Sequence, residues 1–281
     1  MKGRQLRTDG YVSCAYRYDR VASIPVSKAS PSDLRPFSSR DVTALALFGV
    51  AFVTWRWAQF ARCLRTGEEL ARLAVAFERG VAEAAPRVLI VGDSLAVGCG
   101  ATRPEESIAG LLAQDFPDIA IVNRARNGAR TAEATAQLRM DGDVRYDAIL
   151  ISVGGNDVLR RTRFHLLPPQ VDRLIGEARA RSECVICTTT PNVGLAPAFF
   201  PPLSWWLTRR SRRVRDLFAA AAKKHGAHYV NFFHPRSSDP FSREWQRYFA
   251  ADRLHPSAEC YRYVYRTFRE TTPLVAAITR A

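Results

Sequence analysis

The apolar run Arg87-Val88-Leu89-Ile90-Val91 ends in Gly92-Asp93-Ser94-Leu95. A short run of this kind closing on Gly-Asp-Ser reads as a buried strand with a serine at its carboxyl end, where open α/β sheets gather their chemistry. A serine hydroxyl alone is a weak nucleophile. It needs a base, a group that orients the base, and donors for the charge that develops on the attacked oxygen. The chain offers a candidate for each. Of its five histidines (165, 225, 228, 234 and 255), only His255 has a carboxylate three positions before it, in Asp252-Arg253-Leu254-His255-Pro256. On a loop, that spacing lets Asp252 reach Nδ1–H while Nε2 faces a nucleophile. His234 is the reserve base. Gly128, in Asn127-Gly128-Ala129, can take a positive φ and turn its N–H toward an incoming oxygen. Asn156, in Gly154-Gly155-Asn156-Asp157, carries a neutral amide donor suited to an oxyanion.

These residues are far apart in sequence, so their meeting depends on the elements between them. Strand-like runs fall at 87–92, 119–123, 147–153, 184–190 and 227–232, and helix-like stretches near 105–115, 131–140, 169–181, 209–224 and 257–270. Strands alternating with helices of this length imply βαβ units and a parallel sheet. Right-handed crossovers then place helices on both faces. The expected fold is α/β, a three-layer α/β/α sandwich on a five-stranded, mostly parallel sheet. Ser94, Gly128 and Asn156 follow the first, second and third strands, and Asp252 and His255 come after the fifth. All would gather at one carboxyl edge.

The four blocks in this order resemble the SGNH (GDSL) hydrolase family: Gly92-Asp93-Ser94-Leu95, Asn127-Gly128, Gly154-Gly155-Asn156-Asp157 and Asp252-Arg253-Leu254-His255. The resemblance covers about residues 86–270. It implies a flavodoxin-like SGNH fold and a serine esterase or lipase-like activity. It also implies Ser94 as nucleophile, His255 as base, Asp252 as its orienter, and an oxyanion hole made by the Ser94 N–H, the Gly128 N–H and the Asn156 side chain. No metal or organic cofactor is implied. The corresponding expectation is hydrolysis of a carboxylic ester, on a small molecule or a lipid, through an acyl-enzyme. Two alternatives stand beside it. One is a thioesterase or carbohydrate acetylesterase on the same site. The other is a catalytically silent, membrane-associated binding protein that keeps the fold. Phosphate-binding readings of the glycine-bearing turn fail, because no Gly-Lys-Ser/Thr and no Gly-x-Gly-x-x-Gly appears there. The Gly-x-Ser-x-Gly elbow of α/β-hydrolases is absent too.

Residues 1–40 are polar and without apolar periodicity, which predicts a disordered segment. Residues 41–85 form an apolar helical segment, and 86–281 the catalytic domain. The run from Val42 to Thr54 is shorter than a bilayer span, but Trp55 and Trp57 flank Arg56 as at a membrane interface. The run therefore reads either as a helix packed on the domain or as a membrane-associating anchor. A second unusual stretch, Phe199 to Leu207, holds Trp205 and Trp206 and is followed by Arg209, Arg210, Arg212, Arg213 and Arg215. It is read as contacting substrate or an anionic membrane surface. The net charge of +14 is spread along the chain, and no nucleic-acid motif accompanies it, so nucleic acid is an unfavoured partner.

Six cysteines give no disulfide framework. Cys184 and Cys187 lie in a strand and point to opposite faces, as packing residues rather than a ligand pair. A cytoplasmic location, or one at the cytoplasmic membrane, fits this usage. Oligomeric state and the identity of the acyl chain and alcohol are left open by the sequence.

Overall fold

A computed structural model describes residues 38–80 and 85–279. The expectation of disorder over residues 1–40 falls, up to residue 37, outside the described residues. The elements run in the order α1 (Ser39–Leu73), β1 (Arg87–Gly92), α2 (Ser94–Val97), α3 (Ile108–Asp115), β2 (Ala120–Asn123), α4 (Thr131–Leu138), β3 (Ala148–Ser152), α5 (Gly155–Leu159), α6 (Leu167–Arg181), β4 (Cys184–Thr188), α7 (Leu203–His225), β5 (His228–Val230), α8 (Pro240–Arg243), α9 (Trp245–Tyr248), α10 (Ala258–Thr271) and α11 (Leu274–Thr279). The five strands form one parallel sheet in the order β2-β1-β3-β4-β5. β1, β3 and β4 are almost wholly apolar because helices cover both faces. Successive side chains alternate between two cores. Val88, Ile90, Leu150 and Ile186 face the side of α3, α10 and α11, whereas Leu89, Val91, Ile149 and Val185 face α4, α6 and α7. Cys184 joins the first core and Cys187 the second, as the two-residue period of a strand requires.

The order places a switch point between β1 and β3, whose crossovers leave to opposite sides. Gly92 pairs with Ser152 across these strands, so their carboxyl ends are level. The chain segments that follow, Asp93–Ser94 and Gly154–Asn156, therefore start side by side.

Two compact units divide after Ala51. In the first, the described residues open α1. Ser38 and Asp41 exchange reciprocal hydrogen bonds there, 2.9 and 3.3 Å long, that fix the helix start. Val42, Leu45, Leu47, Phe48 and Val50 are exposed. The run at 42–54 is thus part of a 35-residue helix, long and apolar enough to cross a membrane by length and composition. The second unit, 52–281, includes the rest of α1 together with the sheet. There Trp57 meets Phe200 edge-on at 6.3 Å, Phe60 lies 6.1 Å from Phe199, and the Arg56 guanidinium sits 4.7 Å over Phe200.

Candidate active site

The turn after β1 is built by Gly92, whose φ of 146° brings it so close to β3 that a Cβ there would lie 1.9 Å from the Ser152 carbonyl oxygen. Asp93 N–H donates to that same oxygen at 2.9 Å. The Gln137 side-chain amide clamps the backbone of Gly92 on both sides. It accepts from the Gly92 N–H at 2.7 Å and donates to the Gly92 carbonyl at 3.0 Å. Asp93 caps the short α2 by accepting from Leu95 N–H. Ser94 is thereby set at the first position of α2, at the end of the sheet.

His255 Nε2 lies 3.1 Å from Ser94 Oγ, and His255 Nδ1 lies 2.5 Å from Asp252 Oδ2. Asp252 is fully buried, and its other oxygen accepts from the backbone N–H groups of Leu254 and His255, each at 3.0 Å. Burial opposes its charge. The His255 hydrogen bond and the two N–H donors outweigh burial and hold the carboxyl below its ordinary value. For His255, burial works against the proton, but the Asp252 hydrogen bond, with the Cys99 sulfur acting in the same direction, pushes the imidazole up to about 10. Asp93, fully buried beside the serine, is raised to about 7, chiefly by burial. The serine, histidine and aspartate that the sequence singled out are thus brought into one continuous hydrogen-bonded chain, in which His255 can take a proton from Ser94 and Asp252 can steady the resulting charge.

Gly128 has a φ of 79° and lines the same pocket as Ser94, Asn156 and His255. Asn156 occupies the first turn of α5, opened by Gly154. Asp157, next in the chain, accepts from Thr131 N–H at 3.0 Å and Thr131 Oγ1 at 2.7 Å, joining the segment after β3 to the start of α4. His234, the reserve base, does not line this pocket. No group of three or more His, Cys, Asp or Glu among the described residues is placed to hold a metal ion.

Trp205 and Trp206 do not line the pocket; both are exposed on the first turn of α7. Trp206 instead stacks against the guanidinium of Arg210 at 4.9 Å. The arginine run divides by burial. Arg210 is inside the fold and donates to the carbonyls of Val158, Asp157 and Thr162 at 2.8–3.0 Å, satisfying the carboxyl end of α5.

Three contributors to the site carried no motif: Gln137, Arg210 and helix α1. Cys63, Leu64, Gly67, Glu68 and Ala71 of α1 all line the pocket. Gly67 packs so tightly that a Cβ there would stand 3.0 Å from Asp252 Oδ2. A glycine inside a helical pattern was the one available signal, since such residues often mark a close approach.

A parallel sheet of this order, bearing a serine, histidine and aspartate in hydrogen-bonding sequence at its carboxyl edge, defines an SGNH-type hydrolase fold. The chain belongs to the GDSL-like lipase/acylhydrolase family, whose model matches residues 90–263. It is 29% identical over 188 residues to the GDSL-like esterase Rv1075c of Mycobacterium tuberculosis, an alignment covering 62% of this chain and 57% of that protein. The match therefore spans little more than half the length of that relative. Among solved structures, TesA superposes with a TM-score of 0.51 at 21% identity, over 65% of this chain and 96% of TesA. A lipolytic G-D-S-L family protein from Veillonella parvula superposes with a TM-score of 0.54 at 17% identity, over 70% of this chain and all of that one. At these identities the likeness is one of fold.

Proposed function

We propose that the chain hydrolyses carboxylic esters through a serine acyl-enzyme. The observation that carries this reading is the unbroken sequence Asp252–His255–Ser94 at 2.5 and 3.1 Å, opening onto a mostly apolar pocket. Ser94 Oγ attacks the ester carbonyl as His255 Nε2 takes its proton. The negative charge on the carbonyl oxygen is met by the N–H groups of Ser94 and Gly128 and the Asn156 amide. The tetrahedral species collapses, and the alcohol leaves with the proton from His255. A water then gives a proton to His255 and attacks the acyl carbon, and the second collapse returns the proton to Ser94 and frees the acid. The same steps would cleave a thioester. The apolar lining favours an acyl chain over an acetylated sugar as the group next to Ser94. The catalytically silent alternative gives no reason for a buried carboxylate, an imidazole and a hydroxyl to share hydrogen bonds at a pocket. The test is active-site labelling. A serine-directed alkylphosphonate should inactivate the wild-type protein with one equivalent bound at Ser94, and Ser94→Ala should neither be labelled nor hydrolyse p-nitrophenyl esters.

The same reading places the protein at an anionic membrane surface. Support comes from the exposed apolar side chains of α1, among them Leu45, Phe48, Phe52 and Trp55, beside Arg56, Arg62 and Arg65.

A further inference from the structure

Helix α1 lies wholly outside the stretch that the family model matches, yet one of its faces closes the pocket of Ser94. Cys63, Gly67 and Ala71 recur every four residues, and Leu64 and Glu68 flank them, which places all five on one side of the helix. The pocket has a volume of about 260 Å³, and Leu159, Val193, Tyr248 and Leu254 line it together with α1. Three contacts within this unit fix the helix at the site. Gly67 abuts Asp252, Asn127 Nδ2 donates to the Ala71 carbonyl at 2.6 Å, and Trp57 and Phe60 pack on Phe200 and Phe199. The aromatic half of the Phe199–Leu207 segment thus has a use that its sequence did not reveal, as a dock for α1.

We propose that the 63–71 face of α1 is the acyl-chain wall of the pocket and determines which esters are accepted. This rests on the reading of Ser94 as nucleophile. An unbranched acyl chain of several carbons can lie along this apolar lining. An acetyl group leaves most of this apolar surface uncovered. The substrate class is therefore an ester of a fatty acid rather than of acetate, with α1 lying along the chain. Side chains added at 63 or 71 point into the space the chain would fill, whereas the groups that perform the chemistry lie on the sheet side.

The experiment compares kcat/KM for p-nitrophenyl esters from acetate to palmitate, in full-length protein and in Cys63→Phe and Ala71→Phe. In the wild type octanoate should be hydrolysed faster than acetate. Each variant should lower the octanoate-to-acetate ratio at least tenfold and move the peak to shorter chains. Leu64→Ala, which removes bulk from the same face, should move the peak to longer ones. A ratio that stays at the wild-type value overturns the proposal, and so does a loss of acetate and octanoate activity in equal proportion, since both mean that the face supports the fold without touching the chain. Failure of the underlying reading looks different: Ser94→Ala would then retain wild-type hydrolysis whatever the chain length.

Discussion

Replacing Asp252 with asparagine removes the charge that holds the proton on His255 while keeping an oxygen or nitrogen at the same place. In the wild type the imidazole is pushed up to about 10 by a fully buried carboxylate 2.5 Å away. The base works only when neutral. At pH 7 that leaves about one molecule in a thousand competent in the free enzyme, by the tenfold-per-unit rule of a single titration. The wild-type kcat/KM should therefore climb about tenfold per pH unit from 7 to 9, well above the neutral-pH rise that an ordinary histidine near 6.5 suggests. In Asp252→Asn the largest raising influence is gone while burial, which lowers the value, remains, so the limb should move to lower pH. Its plateau should fall by roughly 10⁴, because asparagine neither stabilises the imidazolium nor fixes the tautomer. The deficit should be smallest at pH 6 and widen as pH rises. The assay is initial-rate hydrolysis of p-nitrophenyl octanoate between pH 6 and 10, corrected for spontaneous hydrolysis. A wild-type plateau already reached at pH 7, or an unmoved limb in Asp252→Asn, would refute the reasoning. The linked stability has a definite sign. The raised His255 value means that this contribution is fully present below about 6.5 and is lost as pH rises through about 10. Asp252 contributes oppositely, its share being lost as pH falls below the usual carboxylate value.

Asn156→Ala removes one oxyanion donor and should cost roughly 10²–10³ in kcat with little change in KM, read from saturation kinetics. Gly67→Ala puts a Cβ 3.0 Å from Asp252 Oδ2, so kcat/KM should fall for acetate and octanoate alike; an unaffected enzyme would mean that α1 yields freely at that point. Arg210→Ala takes a donor from the buried carbonyls of Val158 and Asp157 and from the half-buried one of Thr162, and should lower stability by about 1–3 kcal/mol, measurable in a urea titration, whereas Arg209→Ala should not. Full-length protein should co-sediment with anionic vesicles and be partly released by high salt. Removal of residues 1–51 should abolish sedimentation and spare ester hydrolysis. Removal of 1–73 should also impair hydrolysis, because it takes away a wall of the pocket.

Local physics in the sequence already carried much of the fold and of the candidate site. Apolar runs of strand length alternating with helical periods dictate a parallel sheet, and a parallel sheet brings the ends of its strands to one edge. Ser94, Gly128 and Asn156 could therefore be placed together from their positions after successive strands, and Asp252 from its spacing to His255. Backbone geometry acts over a few residues, so it leaves a mark within a few residues. What had no such mark was decided by packing at a distance. Gln137 grips Gly92 across 45 residues, and Arg210 reaches Val158 across 52. The tryptophans at 205 and 206 carried a composition that fits a pocket or a surface equally well, and only the orientation of α7 leaves them outside the Ser94 pocket. Helix α1 is the largest case. Its apolar run looked self-contained and its second half carried no motif, yet Gly67 lies against Asp252, 185 positions later in the chain. Whether a helix comes to lie beside a buried carboxylate depends on the complementary surfaces of the folded sheet and helix. Those surfaces exist only once residues far apart in sequence have been packed together.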